Sequence, residues 1–141
     1  MLGVVTSQAV EFFYQPVRRH TASSDFDVST VKALPRVGIS YSYSGAQGVS
    51  DLEAKAVIVA TTGFAPEEGR YYEGLRKKGV IVAATFPSGA QVDSASPSSR
   101  ETMPPVIAVK HLMPTKARIL MMLALTKTQD PSAIQKIFDS Y

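Results

Sequence analysis

The chain has 141 residues, of which 45% are hydrophobic and 19% charged, with 15 Lys and Arg against 12 Asp and Glu for a formal charge of +3. That length and balance suit one globular domain with a single core. The absence of cysteine excludes disulfides, thiol nucleophiles and thiolate metal sites. No metal site or cofactor is expected, because His20 and His111 are far apart and show no ligand spacing. The basic residues are scattered, with only Arg18-Arg19 and Arg76-Lys77-Lys78 adjacent and no interleaved aromatic residues, which argues against nucleic acid as a partner. No apolar run reaches the roughly 18 to 20 residues that span a bilayer, so a membrane partner is not expected either.

In chain order, residues 2–17 read as a β-hairpin. Val4 and Val5 lie on one arm, Ser7-Gln8 near the turn, and Val10, Phe12 and Tyr14 alternate on the other arm before Pro16 ends it. Such a hairpin has apolar faces and strand edges that need partners elsewhere. Arg18 to Val28 reads as an irregular, serine-rich connector, closed by local Asx and Ser turns. Leu34 to Tyr43 then reads as a strand. The runs Ala56 to Ala60, Val80 to Ala84 and Val106 to Val109 are short, mostly β-branched and nearly continuous, as strands buried on both faces of a parallel sheet must be.

Glu67 to Lys78 supplies the helix between the second and third of these strands, and its basic end before Gly79 suits the negative end of a helix dipole. The first crossover, Ser44 to Lys55, is near the minimum of about ten to twelve residues and predicts only a helical stub. Residues 85–105 form a Ser/Pro-rich stretch without periodicity, and structureless loops beyond about 12 to 15 residues are uncommon in compact domains and tend to be functional or disordered. Two helices follow. The first is apolar at almost every position from Ala117 to Leu125, and the second has one-face spacing at Ile134, Ile137, Phe138 and Tyr141. Pro114 and Pro131 suit first helical turns, where no N–H is needed. Asp130 is a good N-cap, whereas Met113 offers no acceptor, a loss of about 1 kcal/mol. The apolar helix reads as buried core, with packing across a subunit interface as the alternative.

Three segments resemble a known family. They are Arg18-Arg19-His20-Thr21 with its serine-rich spacer and Phe26-Asp27-Val28, then Leu34-Pro35-Arg36-Val37-Gly38-Ile39, and finally Met113-Pro114-Thr115-Lys116-Ala117-Arg118 through Asp130-Pro131 to Tyr141. The family is the bacterial L-asparaginases and glutaminase-asparaginases, type II, and the likeness is to their carboxyl-terminal domain. The resemblance implies an α/β fold with a small four-stranded, mostly parallel sheet flanked by helices and preceded by the hairpin. It implies a division into a hairpin at 1–17, a linker at 18–35 and the α/β domain at 36–141. It also implies that catalytic threonines belong to an amino-terminal domain, in Thr-Gly-Gly-Thr and Thr-Asp motifs that this sequence does not contain.

No catalytic residue is therefore expected here. Thr61-Thr62-Gly63 stands at a strand end, where α/β sheets bind ligands, but no lysine–carboxylate pair adjoins it in sequence. The family's Gly-x-Gly-Asn-Gly-Asn loop is replaced by Thr62-Gly63-Phe64-Ala65-Pro66-Glu67-Glu68-Gly69. Its glutamate after a Pro-x-Gly turn is missing as well. Pro87-Ser88-Gly89 is followed by Gln91 and Val92, and the nearest acid is Asp93. The candidate ligand-binding residues are accordingly Thr62, Gly63, Ser88, Gly89 and Asp93. Three roles are compatible with the sequence: a catalytically incompetent module that self-associates as a dimer or larger homo-oligomer, a component completed by a separate asparaginase catalytic chain, or a small-molecule-binding regulatory module. The start of the chain lacks a basic region followed by a long apolar run, so a cytoplasmic location is the default reading, against a periplasmic one for type II relatives.

Overall fold

The computed structural model describes residues 3–5, 10–12, 18–19, 21–46, 53–88 and 106–141. The elements in chain order are β1 (Gly3–Val5), β2 (Val10–Phe12), a single 3-10 turn at Thr21–Ser23, β3 (Val37–Tyr41), β4 (Ala56–Ala60), α1 (Pro66–Lys77), β5 (Ile81–Thr85), β6 (Ile107–Ala108), α2 (Pro114–Leu125) and α3 (Pro131–Ser140). β1 and β2 pair antiparallel, Val5 opposite Val10, as the hairpin reading requires. The expected turn at Ser7-Gln8 and the arm position Tyr14 lie outside the described residues, as do His20 and residues 47–52, half of the first crossover.

The four remaining strands form one parallel sheet in the order β3-β4-β5-β6. Each strand is laid beside its predecessor in the same direction. Right-handed crossovers then put every connection on one face of the sheet, and only chain following the last strand can cover the other. The packing obeys this. α1 lies against β5 on one face, while α2 lies over β3 and β4, and α3 over β6, on the opposite face.

The alternation of side chains divides the core accordingly. Val37, Ala56, Ile58, Ile81, Ala83, Ile107 and Val109 meet Ala117, Leu120, Met121, Ala124, Ile134 and Phe138 under α2 and α3. Val57, Val59 and Val82 meet Tyr72, with Phe64, Tyr71 and Leu75 at the margin, under α1. Because both faces are covered, β4 and β5 are buried at every position, which is why their sequences show no polar alternation.

Helix ends follow local chemistry. α1, α2 and α3 each begin with proline in the first turn. Asp130 caps α3 by accepting a hydrogen bond from Ala133 N at 2.8 Å, and Met113 makes no side-chain cap. Glu67 and Glu68 stand in the first turn of α1 and Arg76 and Lys77 in its last, complementing the helix dipole at both ends. Gly79 takes φ +86°, a left-handed conformation that stops the chain after α1 and turns it into β5.

The segment before β3 is tied to α3. Arg19 N donates to Ser140 O at 3.1 Å, Arg18 Nη1 to Asp139 O at 2.9 Å, and Asp25 N to the Tyr141 hydroxyl at 2.6 Å. The Phe26 and Tyr141 rings meet at 5.3 Å, and the Lys127 ammonium stands 5.1 Å over the Phe26 ring.

Candidate functional site

The carboxyl ends of β3, β4, β5 and β6 open onto one edge, formed by Ser42, Thr61 to Gly63, Thr85 to Ser88, and Lys110. The parallel ladder continues past the strands here: Ser42 N donates to Ala60 O at 2.9 Å, Thr61 N to Thr85 O at 2.9 Å, and Val109 N to Ala84 O at 3.0 Å. In open α/β sheets this edge is where ligands bind. Thr62, Gly63 and Ser88 are exposed there, whereas Gly89 and Asp93 lie outside the described residues.

The two buried threonines of this edge are committed to backbone. Thr61 Oγ1 donates to Gly63 O at 2.6 Å and accepts from Gly63 N at 3.0 Å. Thr85 Oγ1 donates to Leu112 O at 2.8 Å, linking β5 to the turn that enters α2. A nucleophilic hydroxyl needs a base placed to take its proton and donors aimed at the developing oxyanion. Both protons here are already spent on carbonyls. Among the described residues no group of three or more His, Asp or Glu could hold a metal.

A buried polar cluster that the sequence reading did not single out joins this edge to α1. Glu68 and Tyr72 are one turn apart on α1 and are 2% and 0% exposed. Ser42 Oγ donates to Glu68 Oε2 at 2.6 Å, while Glu68 Oε1 and the Tyr72 hydroxyl have no hydrogen-bond partner among the described residues. Burial pushes the Tyr72 phenol up to about 12; the nearby Ser40 hydroxyl works against that rise, and the Glu68 and Tyr71 charges add to it. Ser40 thus lies beside the phenol without closing a hydrogen bond of good geometry. The only sequence signal was the i, i+4 spacing, and a glutamate in a first helical turn ordinarily reads as a solvated dipole partner.

Tyr72 makes a prediction of definite sign. A buried hydroxyl without a partner costs about 1 to 3 kcal/mol, so Tyr72→Phe is expected to be at least as stable as the native chain at pH 7. The native phenol is held neutral in the fold. Its contribution is fully present below the ordinary tyrosine range and is lost as pH rises from about 10 to about 12, a loss of order 3 kcal/mol that the variant escapes. Urea unfolding at pH 7 and pH 11 measures both, with about half of the full loss present at pH 11; a variant less stable by 1 kcal/mol or more at pH 7 would mean the hydroxyl is bonded after all.

At the β6 end, Lys110 adopts φ 62°, a left-handed conformation uncommon outside glycine, and its Nζ lies 2.8 Å from Asp139 Oδ1. The hydrogen bond from Lys110 holds the Asp139 carboxyl below the usual carboxylate range, with Gln135 and Arg18 acting the same way. His111 is pulled down by partial burial and by the Arg18 and Lys110 charges beside it. A cleft of about 470 Å³ opens elsewhere, where the amino ends of β5 and β6 meet α3, lined by Arg76, Val80, Gln129, Ser132 and Gln135 among others. Of the candidate ligand residues, the described ones, Thr62, Gly63 and Ser88, do not line it.

A small four-stranded parallel sheet with one helix beneath and a helical hairpin above defines an α/β layer domain. The sequence profile of the glutaminase/asparaginase C-terminal domain matches residues 36–138. This chain belongs to that family. It is 34% identical over 155 residues to L-asparaginase 2 of Escherichia coli (strain K12), covering 99% of this chain and 42% of that protein. It is 34% identical over 149 residues to glutaminase-asparaginase of Pseudomonas fluorescens biotype A, covering 99% of this chain and 41% of that relative. The crystal structure of a probable cytoplasmic L-asparaginase from Campylobacter jejuni superposes with a TM-score of 0.84 at 34% identity, over 99% of this chain and 48% of that one. The chain thus spans less than half the length of the relatives it matches.

Proposed function

We propose that this chain is an asparaginase-type carboxyl-terminal module with no amide-hydrolysing chemistry of its own, acting as a structural element that assembles with copies of itself. The observation that carries this reading is the state of Thr61 and Thr85. Both hydroxyls at the ligand-binding edge donate to backbone carbonyls, and neither hydrogen-bonds a base among the described residues. In this reading residues 1–17 form a hairpin, 18–35 a linker and 36–141 the α/β domain. The exposed Thr62, Gly63 and Ser88, with Gly89 and Asp93, are the positions where a ligand would touch it.

A second reading has the chain complete an L-asparagine or L-glutamine amidohydrolase whose catalytic threonines come from another polypeptide. Its support is the position of Thr62 and Gly63, exposed at the sheet edge where a partner's substrate can reach them.

The deciding experiment measures ammonia release from L-asparagine and L-glutamine by the purified chain at high concentration, with mass by light scattering on the same sample. No turnover from a folded oligomer is expected. Turnover above background would overturn the reading and return attention to Thr61, Thr62 and Asp93. Turnover that appears only on adding a chain carrying Thr-Gly-Gly-Thr and Thr-Asp motifs would establish the second reading instead.

A further inference from the structure

We propose that the buried cluster of Ser40, Ser42, Glu68 and Tyr72 binds one monovalent metal cation, sodium or potassium, between β3 and α1. The proposal adds a ligand to the module and does not depend on its state of assembly.

The register of the sheet builds the site. On the face under α1, β4 presents Val57 and Val59, and β5 presents Val82. Ser40 stands opposite Val59, and the ladder runs on through Ser42, so β3 offers that face Gly38, Ser40 and Ser42. Beside the valines these are small side chains, and two of the three carry hydroxyls.

The helix supplies the rest. Glu68 and Tyr72 stand at i and i+4 on one face of α1, 2% and 0% exposed. Ser42 Oγ donates to Glu68 Oε2 at 2.6 Å, a length typical of a hydroxyl bonded to an ionised carboxylate. Glu68 Oε1 and the Tyr72 hydroxyl have no hydrogen-bond partner among the described residues. Ser40 and the Glu68 charge both bear on the phenol, yet no hydrogen bond closes between these groups. A carboxylate oxygen and a phenol on adjacent turns, both buried and both unbonded, are satisfied together by a guest between them.

Charge decides what the guest is. A buried carboxylate is costly unless it is paired. The ion pairs of the described residues leave Glu68 out, since Arg70 pairs with Glu67, Lys77 with Glu73 and Arg36 with Glu53, all at the surface. The amino end of α1 contributes roughly half a positive charge, which leaves the site negative. A water molecule meets the hydrogen-bonding needs and not the charge.

The donors are all oxygen, the set that hard cations take in preference to transition metals. Glu68 supplies the one formal charge, and the Ser40, Ser42 and Tyr72 hydroxyls supply neutral lone pairs. One carboxylate balances one positive charge. Calcium takes about 6 to 8 oxygens, and among the described residues no group of three acidic or histidine side chains gathers anywhere. Ser42, partly buried at the carboxyl edge of the sheet, is the most exposed of the four and the side from which an ion enters.

Thermal unfolding of the full chain in sodium, potassium and tetramethylammonium chloride at one ionic strength tests the site. Screening is then equal, and only the small ions fit a buried place. A site half-filled at about 10 mM raises the folding equilibrium about tenfold at about 100 mM. The midpoint is therefore expected to stand several degrees higher in at least one small cation, and to climb with the logarithm of its concentration. Glu68→Gln, which keeps the shape and removes the charge, is expected to abolish the difference between salts, and the exposed neighbour variant Glu67→Gln to keep it. Tyr72→Phe is expected to hold at least the native midpoint in tetramethylammonium and to lose part of the gain in the small cation. If Glu68→Gln folds poorly, Ser42→Ala reads the same site and is expected to shrink the same difference.

Equal midpoints in all three salts would overturn the proposal and leave a proton or a water to meet Glu68. A gain that survives in Glu68→Gln would overturn the site by placing the ion elsewhere.

Discussion

Phe138→Ala is expected to lower the unfolding free energy by about 3 to 5 kcal/mol, a large share of the about 5 to 15 kcal/mol that holds a domain of this size together. Phe138 is 1% exposed and stands one helical turn from Ile134, which is 0% exposed, so the two form the face by which α3 is seated. That face joins the cluster containing Ile107 and Val109 at the β6 end of the sheet. A cavity there does not close readily, because the sheet floor is held by ladder hydrogen bonds and cannot rise to fill it. α3 also carries Gln135, which closes the β6 edge, and Asp139, which pairs with Lys110. Loosening α3 therefore exposes a strand edge in addition to removing a ring. Urea unfolding followed by circular dichroism measures the loss, with Ile119→Ala as the control at a half-exposed site, expected within about 1 kcal/mol of the native chain. A loss below 1 kcal/mol for Phe138→Ala would mean that α3 is not part of the cooperative core.

The sheet was legible in the sequence for a physical reason. Strands covered on both faces have no solvent-facing position, so Ala56 to Ala60 and Val80 to Ala84 are apolar throughout, and the helix-period segment between these short runs points to a parallel, helix-covered sheet. The ends of the elements were less legible. Leu34 to Tyr43 looks like one strand, but Pro35 has no N–H to pair and β3 begins only at Val37. Val106 to Val109 contracts to Ile107–Ala108, where Lys110 turns into the left-handed region just beyond the strand. The apolar run Ala117 to Leu125 reads as buried core, with an interface role as the alternative. The fold assigns most of it to the core, with Ala117, Leu120, Met121, Met122 and Ala124 buried and Ile119 the strongly exposed member.

The candidate site shows the same limit more sharply. Thr61 to Gly63 could be placed at a strand end from the sequence, because its position follows from one local run. The partners of its neighbours could not. Ser42 and Glu68 are 26 positions apart and meet only because β3 and α1 lie at the same sheet edge. Glu68 as a first-turn glutamate and Tyr72 as one of two adjacent tyrosines carry no mark of burial in sequence. Their burial is a consequence of the crossover rule, which sets α1 against the face where those side chains point.

Tyr141→Ala is expected to cost about 2 to 3 kcal/mol and to release the segment from Arg18 to Val31 from the body of the domain. The tyrosine gathers several of that segment's ties. Its hydroxyl accepts from Asp25 N at 2.6 Å and shares a hydrogen bond with Ser24 Oγ at 3.0 Å, and its ring packs on Phe26, over which Lys127 stands while also donating to Asp25 O. The hydrogen bonds contribute about 1 kcal/mol each at most, whereas ring burial contributes about 1.5 to 3 kcal/mol when complete, and Tyr141 is only partly buried. Tyr141→Phe, which keeps the ring, should therefore retain most of the stability that Tyr141→Ala loses. Arg18, Arg19 and Lys32 bracket the segment, so limited trypsin digestion reads its release directly. Cleavage at those residues should accelerate strongly in Tyr141→Ala and little in Tyr141→Phe, ahead of any cleavage within α1 or α2. Equal acceleration in both would move the anchor from the ring to the hydroxyl. No acceleration in either would leave the backbone bond from Arg19 to Ser140 and the Arg18 contact with Asp139 as the ties that hold the segment.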